Sequence, residues 1–142
     1  MSKAIYTAEA TVTGGRERGH GRSSDGALDV QLRPPNEGGG TNPEQLFAVG
    51  YAACFEGALG VVARRERTEP GDVSIDSRVS LIAADDRTFG IGVEMDVTLP
   101  AVADAEEAKR IVAAAHRVCP YSNATRGNVD VKLTANGEPV RG

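Results

Sequence analysis

The stretch Leu46–Ala63 constrains this chain more than any other, because it is apolar on nearly every side. It holds one charge, Glu56, and three glycines, Gly50, Gly57 and Gly60. Its length raises the question of a membrane span. The charge and the glycines favour a buried core helix instead, and no membrane insertion is expected. The start of the helix is marked. Asn42 can cap it, Pro43 suits the first helical position, and Glu44 suits the positive end of the dipole. Arg64, Arg65 and Arg67 complement the other end, so the helix is expected to close near Arg65. One small sheet cannot cover every face of such a helix. A second copy of the chain is the natural cover, which predicts an obligate homodimer with this helix near its centre.

Around the helix, alternation predicts strands. Residues 4–13 place Ala4, Tyr6, Ala8, Ala10 and Val12 on one side, the pattern of a half-buried strand. Gly14–Gly15 ends it, a loop rich in Gly and Arg runs from Arg16 to Gly26, and residues 27–32 alternate again with Leu28, Val30 and Leu32 inward. This reads as a long-loop hairpin. A Pro/Gly connector covers residues 34–40. A second hairpin is expected from residues 73–83 and 89–99, joined through Asp85–Thr88. Asp104 is expected to cap a second helix with Ala108, Ile111, Val112, Ala115 and Cys119 on one stripe, and Pro120 to stop it. Val129, Val131 and Leu133 mark a last strand, and residues 136–142 are expected to fray. The order β-β-α-β-β-α-β predicts an α+β fold with mainly antiparallel sheet, as a single domain over residues 1–142.

Several function classes drop out. The net charge is −4 and no Lys/Arg block occurs, so nucleic-acid binding has no electrostatic footprint. The N-terminal sequence lacks the apolar core and cleavage site of a secretory signal, so a cytoplasmic location is expected. Cys54 and Cys119 are the two cysteines, and no C-x-x-C is present. That argues against a disulfide-stapled scaffold, a zinc knuckle and a thioredoxin-type motif. No His/Cys/Asp group has ligand spacing, and no metal is expected. His20 falls in the loop, and His116 in a last helical turn, where a dipole role suffices.

Taken alone, each cysteine reads as a small core hydrophobe, as most buried cysteines are. Both lie on core-facing helix stripes, and where such helices pack together the sulfurs can meet. A defined chemistry then follows. A thiolate attacks a peroxide and becomes a sulfenic acid, and a second thiol condenses with it before over-oxidation. The attack needs a lowered thiol pKa, hence a nearby cation. Arg16, Arg18 and Arg22 of the first loop are the candidates.

The blocks Thr41-Asn-Pro-Glu-Gln-Leu-Phe47, Ala52-Ala-Cys54-Phe55 and Val118-Cys-Pro-Tyr-Ser-Asn-Ala-Thr-Arg-Gly-Asn128 resemble the organic hydroperoxide resistance (Ohr) proteins of the Ohr/OsmC family, as do Gly14-Gly15-Arg16 and residues 23–30. The resemblance runs from about Tyr6 to Leu133, and the long block around Cys119 favours the Ohr branch over the osmotically inducible OsmC branch. It implies an OsmC-like fold, an intertwined homodimer with sites at the subunit interface, and a peroxidase that reduces alkyl and lipid hydroperoxides to alcohols under oxidative stress. Carried over residue by residue, Cys54 is the peroxidatic cysteine and Cys119 the resolving one, joined in a redox-active disulfide. Arg16 activates the thiolate, with Arg18 as the alternative, and Glu44 holds the arginine. No cofactor is bound. The reductant implied is a dihydrolipoyl group, and so a lipoylated protein partner. Phe47, Tyr51 and Phe55 flank Cys54 and are expected to wall an apolar pocket for the organic tail. Glu44 precedes Cys54 by ten residues, a rise of about 15 Å on a straight helix. Unless the helix breaks near Gly50, Arg16 and Glu44 of one subunit are therefore expected to serve Cys54 of the other. The alternatives are a non-enzymatic thiol redox sensor, and a small-molecule binder whose cysteines are inert.

Overall fold

The computed structural model describes residues 2–141. Met1 and Gly142, the ends of the expected domain, lie outside the described residues, and Gly142 also ends the expected frayed tail. Contacts gather into two compact units, Met1–Leu46 and Phe47–Gly142.

The first unit is a three-stranded antiparallel sheet of β1 (Ala10–Thr13), β2 (Gly19–Ser23) and β3 (Asp29–Leu32), in that order across the sheet. The expected strand over 4–13 forms only at its end. Residues 2–9 lie outside any strand, with the Glu9 carbonyl accepting from the Ser24 N–H at 2.8 Å, and Ile5 and Tyr6 are exposed. The expected loop holds the middle strand. Thr13 pairs with His20 and Gly19 with Leu32, so β2 is built from Gly-His-Gly-Arg-Ser against β propensity. Its first glycine is a packing requirement: a Cβ on Gly19 would stand 1.9 Å from the Gly15 carbonyl oxygen. Gly14 and Gly15 take positive φ at the β1–β2 turn. His20 therefore lies on a strand and pairs with Asp29 at 2.6 Å, rather than in a flexible loop. Beyond β3 the connector folds back, and Thr41 exchanges backbone hydrogen bonds with Gln31 and Arg33.

The helix α1 (Pro43–Glu66) opens on the expected cap, with the Gln45 N–H donating to Asn42 Oδ1 at 2.9 Å. It continues unbroken past Gly50 into the second unit. There a four-stranded sheet has the order β4 (Ser74–Ala83), β5 (Phe89–Thr98), β6 (Val131–Ala135), β7 (Glu138–Val140). β4 and β5 form the expected hairpin. β5 and β6 pair in parallel, because α2 (Ala105–Val118) and α3 (Pro120–Thr125) carry the chain across between them. The tail expected to fray instead turns at Asn136–Gly137 and returns as β7, pairing Val140 with Leu133. Asp104 caps α2 as expected, accepting from the Glu106 N–H at 3.0 Å.

The core of this unit joins Tyr51, Phe55 and Leu59 of α1 to Met95 and Val97 of β5 and to Ile111 and Val112 of α2. By length and composition α1 could cross a membrane, yet its buried face packs into this core and a third of its most apolar 18-residue window is buried. The opposite face is not covered. Val49 is 71% exposed, and Ala53, Glu56 and Gly57 lie open beside it. The outer half of the β4–β5 hairpin likewise leaves Leu81, Ile82 and Phe89 exposed. Leu59→Ala, which empties a fully packed position of α1, is expected to lower unfolding free energy by about 2–5 kcal/mol in urea titrations.

Candidate active site

The side chains singled out in the sequence fall into two groups. The first lies in the first unit. Arg16 sits in the tight β1–β2 turn, and its guanidinium donates to the Glu44 carboxylate in the first turn of α1. The pairing is made by Arg16 and not by Arg18, while Arg22 lies 3.6 Å from Asp29. The Glu44 side chain is largely sheltered and Arg16 is half exposed. The carboxylate thus fixes the guanidinium base and leaves donors free to meet a second anion.

The second group lies in the second unit. Cys54 is half-buried on α1, Cys119 is fully buried, and their sulfurs stand 3.6 Å apart. Pro120 explains how Cys119 is held. The residue before a proline avoids helical backbone, so α2 ends there, while Pro at the first helical position starts α3 at once. Cys119 is consequently both the last cap of α2 and the first cap of α3, with φ −63° and ψ 124°. The expected stop is present; the restart was not foreseen.

An ionised sulfur at position 54 was expected. Its surroundings in fact oppose the charge. Burial pushes the Cys54 thiol above its ordinary value, the backbone N–H of Tyr121 pulls it back, and the adjacent Cys119 sulfur adds to the rise. Ionisation at neutral pH therefore requires a cation beyond these groups.

The aromatic walls also differ from expectation. Tyr51 and Phe55 are fully buried and underlie the site, so of the three only Phe47 keeps open surface. Tyr121, which sequence reasoning missed, is 40% exposed and packs at ring-centroid distances of 5.9 Å from Phe47 and 5.7 Å from Tyr51. That ring lies over Gly50, where a Cβ would stand 3.4 Å from the Tyr121 hydroxyl, an ordinary contact. The signal was an aromatic residue two positions beyond Cys119. His116 was assigned a dipole role, which requires its charged form. The structure buries it against Ser122, and burial, then Arg126 and Arg117, hold its pKa below the ordinary value. Among the described residues no three His, Cys, Asp or Glu side chains converge as a metal site.

Known proteins share this arrangement of elements. The family model for OsmC-like proteins matches residues 36–134. The organic hydroperoxide resistance protein of Xanthomonas axonopodis pv. citri is 55% identical over 138 residues, which cover 93% of this chain and 95% of that protein. The crystal structure of OhrB of Bacillus subtilis superposes with a TM-score of 0.86 at 51% identity, covering 92% of this chain and 98% of that one. An organic hydroperoxide resistance protein from Legionella pneumophila gives 0.87 at 50% identity, covering 93% and 98%. With a family model over most of its length and relatives above half identity across nearly all of it, this chain belongs to the Ohr/OsmC family, on its organic hydroperoxide resistance branch.

Proposed function

We propose that the chain is a cytoplasmic, thiol-dependent peroxidase that reduces organic hydroperoxides to alcohols through Cys54 and Cys119. The observation that carries the reading is the 3.6 Å separation of the two sulfurs, one half-open and one buried. In the first step the Cys54 thiolate attacks the outer peroxide oxygen. The O–O bond breaks, sulfur becomes sulfenic acid, and the alkoxide leaves to take a proton as the alcohol. In the second, the Cys119 thiol attacks that sulfur, the S–O bond breaks, and a disulfide and water result. A dithiol, for which a dihydrolipoyl group on a lipoylated protein is the candidate, then reduces the disulfide and is itself oxidised.

Arg16, braced by Glu44, is the cation proposed to ionise Cys54 and to meet the departing alkoxide. Glu44 and Cys54 sit ten residues apart on one unbroken helix, a rise of about 15 Å. The arginine–glutamate pair is therefore assigned to Cys54 of a second copy. A homodimer also supplies the cover that α1 lacks. A groove of about 450 Å³ along Ala48, Val49, Ala52, Ala53, Glu56 and Ile75 is the surface proposed to receive it. Phe47 and Tyr121 are the open apolar walls for the organic tail, at about 25 cal/mol per Å² buried.

Steady-state reduction of cumene hydroperoxide by dihydrolipoamide tests the reading. Repeated turnover well above the free-dithiol rate is expected. A single stoichiometric oxidation would point instead to a redox sensor. Cys119→Ser is expected to complete its first attack normally and then accumulate sulfinic acid at Cys54, which mass spectrometry would register as a gain of two oxygens.

A further inference from the structure

The chemistry above uses the two sulfurs and the Arg16–Glu44 pair, and leaves a buried run of polar side chains beside them without a role. Ser122 is fully buried, with its hydroxyl 2.7 Å from the Tyr51 hydroxyl and 2.8 Å from His116 Nδ1. The Tyr51 hydroxyl also lies 3.2 Å from Thr125 Oγ1, and Thr125 donates to the Ser122 carbonyl at 3.2 Å. Each hydroxyl has one proton. The Thr125 proton is used by the carbonyl, so Tyr51 donates to Thr125, Ser122 donates to Tyr51, and His116 Nδ1–H donates to Ser122. In this direction every contact in the run holds a proton. The reverse direction leaves the Tyr51–Thr125 contact empty.

The four residues tie three helices together. Tyr51 lies on α1, one turn before Cys54. His116 lies in the last turn of α2, and Ser122 and Thr125 lie on α3, which Cys119 opens. Arg126 closes the far end of α3 by donating to the His116 carbonyl and to Asn123 Oδ1. A buried polar run is costly unless every member is satisfied, and an apolar replacement would pack without that cost. What the run secures is position. The backbone on both sides of Cys119 is fastened, and its amide is held by the Ala115 carbonyl at 2.9 Å.

We propose that the His116–Ser122–Tyr51–Thr125 hydrogen-bond chain is a positioning device for the resolving sulfur, holding Cys119 where it closes on the Cys54 sulfenic acid before a second hydroperoxide arrives. The inference rests on the peroxidase reading. The step it governs is the condensation of the sulfenic acid with the Cys119 thiol. There the S–S bond forms and the S–O bond breaks, and the hydroxyl leaves with the thiol proton as water. The attack on peroxide uses Cys54, its cation and Tyr121 of α3, whose ring also rests on Phe47 and Tyr51 of α1, so a loosened α3 is expected to slow it far less than closure.

The test mixes the reduced full chain with excess cumene hydroperoxide, without reductant. Samples are quenched over time with an alkylating agent and weighed intact, which separates sulfenic acid, disulfide and sulfinic acid. Ser122→Ala and His116→Leu are expected to slow disulfide closure by about tenfold to a hundredfold, the scale of a misplacement near 1 Å. Sulfinic acid should rise to match, while the first step slows by no more than about twofold. His116→Asn, which restores an N–H at the Nδ1 position, should return closure to the wild-type rate. A merely structural role would lower the folded fraction and both steps together. Closure at the wild-type rate in both deletion variants, or proportional slowing of both steps, overturns the proposal. Should one variant not fold, the other carries the test. A wild-type chain that never forms the Cys54–Cys119 disulfide would instead remove the peroxidase reading itself, a result distinct from normal closure in the variants.

Discussion

Cys54→Ser is expected to reduce hydroperoxide turnover to the rate of the free dithiol, a loss of at least about 10⁴-fold. The replacement removes one polarisable sulfur and little volume at a half-buried helix position, so the fold should persist. Chemistry should not. A serine hydroxyl is not ionised near neutral pH, and oxygen has no counterpart to the sulfenic acid that stores the oxidising equivalent. Consumption of cumene hydroperoxide under saturating dihydrolipoamide measures the loss, with circular dichroism to establish that the variant is folded. Undiminished turnover in Cys54→Ser would mean that both cysteines are inert packing residues.

Arg16→Ala is the second large effect, and its signature is a pH profile as well as a rate. Burial and the Cys119 sulfur both push the Cys54 thiol upward, and only the Tyr121 amide opposes them. With Arg16 in place the thiolate is favoured, giving a rate that depends less on pH. Without it the thiol keeps its raised pKa. Since the thiolate is the attacking form, the variant's rate should then climb with pH through and beyond neutrality. At pH 7 the expected loss is about 10²–10³-fold, because a charge-stabilising donor goes together with the ionisation. Stopped-flow measurement of the first oxidation across pH reads both. A profile unchanged in shape would shift the cation's role to another residue.

Much of this protein could be read from the sequence where side chains report on their own local backbone. Asn42, Pro43 and Glu44 marked the start of α1, and Asp104 that of α2, because caps are settled within one turn. The β4–β5 hairpin followed from strict alternation. Elements settled by partners far along the chain were not legible. β2 is made of glycines and polar residues, and is a strand because β1 and β3 flank it. β7 looked like a frayed end because its order comes from pairing with β6 and packing against α2. Pro120 correctly signalled an end to α2, but the ring that bars helical backbone in the residue before it also has a φ suited to begin a helix, and so α3 was overlooked. Both sulfurs were found from helix stripes and the resemblance together. Tyr121 was not, because its role comes from a ring laid over Gly50 across two helices. His116 looked like an ordinary basic residue at a helix end until its burial against Ser122 was known.

The parallel pairing of β5 with β6 bears on how the reactive pair comes into being. Cys119 travels on the helical crossover between those strands, 65 residues along the chain from Cys54. Contacts of such long sequence separation form late in folding, after local hairpins and helices. On the ribosome, Cys54 thus emerges as a plain thiol with neither its partner sulfur nor the Tyr121 amide beside it. A chain caught half-made by an oxidant would present an unremarkable cysteine, and on the proposed assignment its reactivity would switch on only when a second copy brings Arg16 to it.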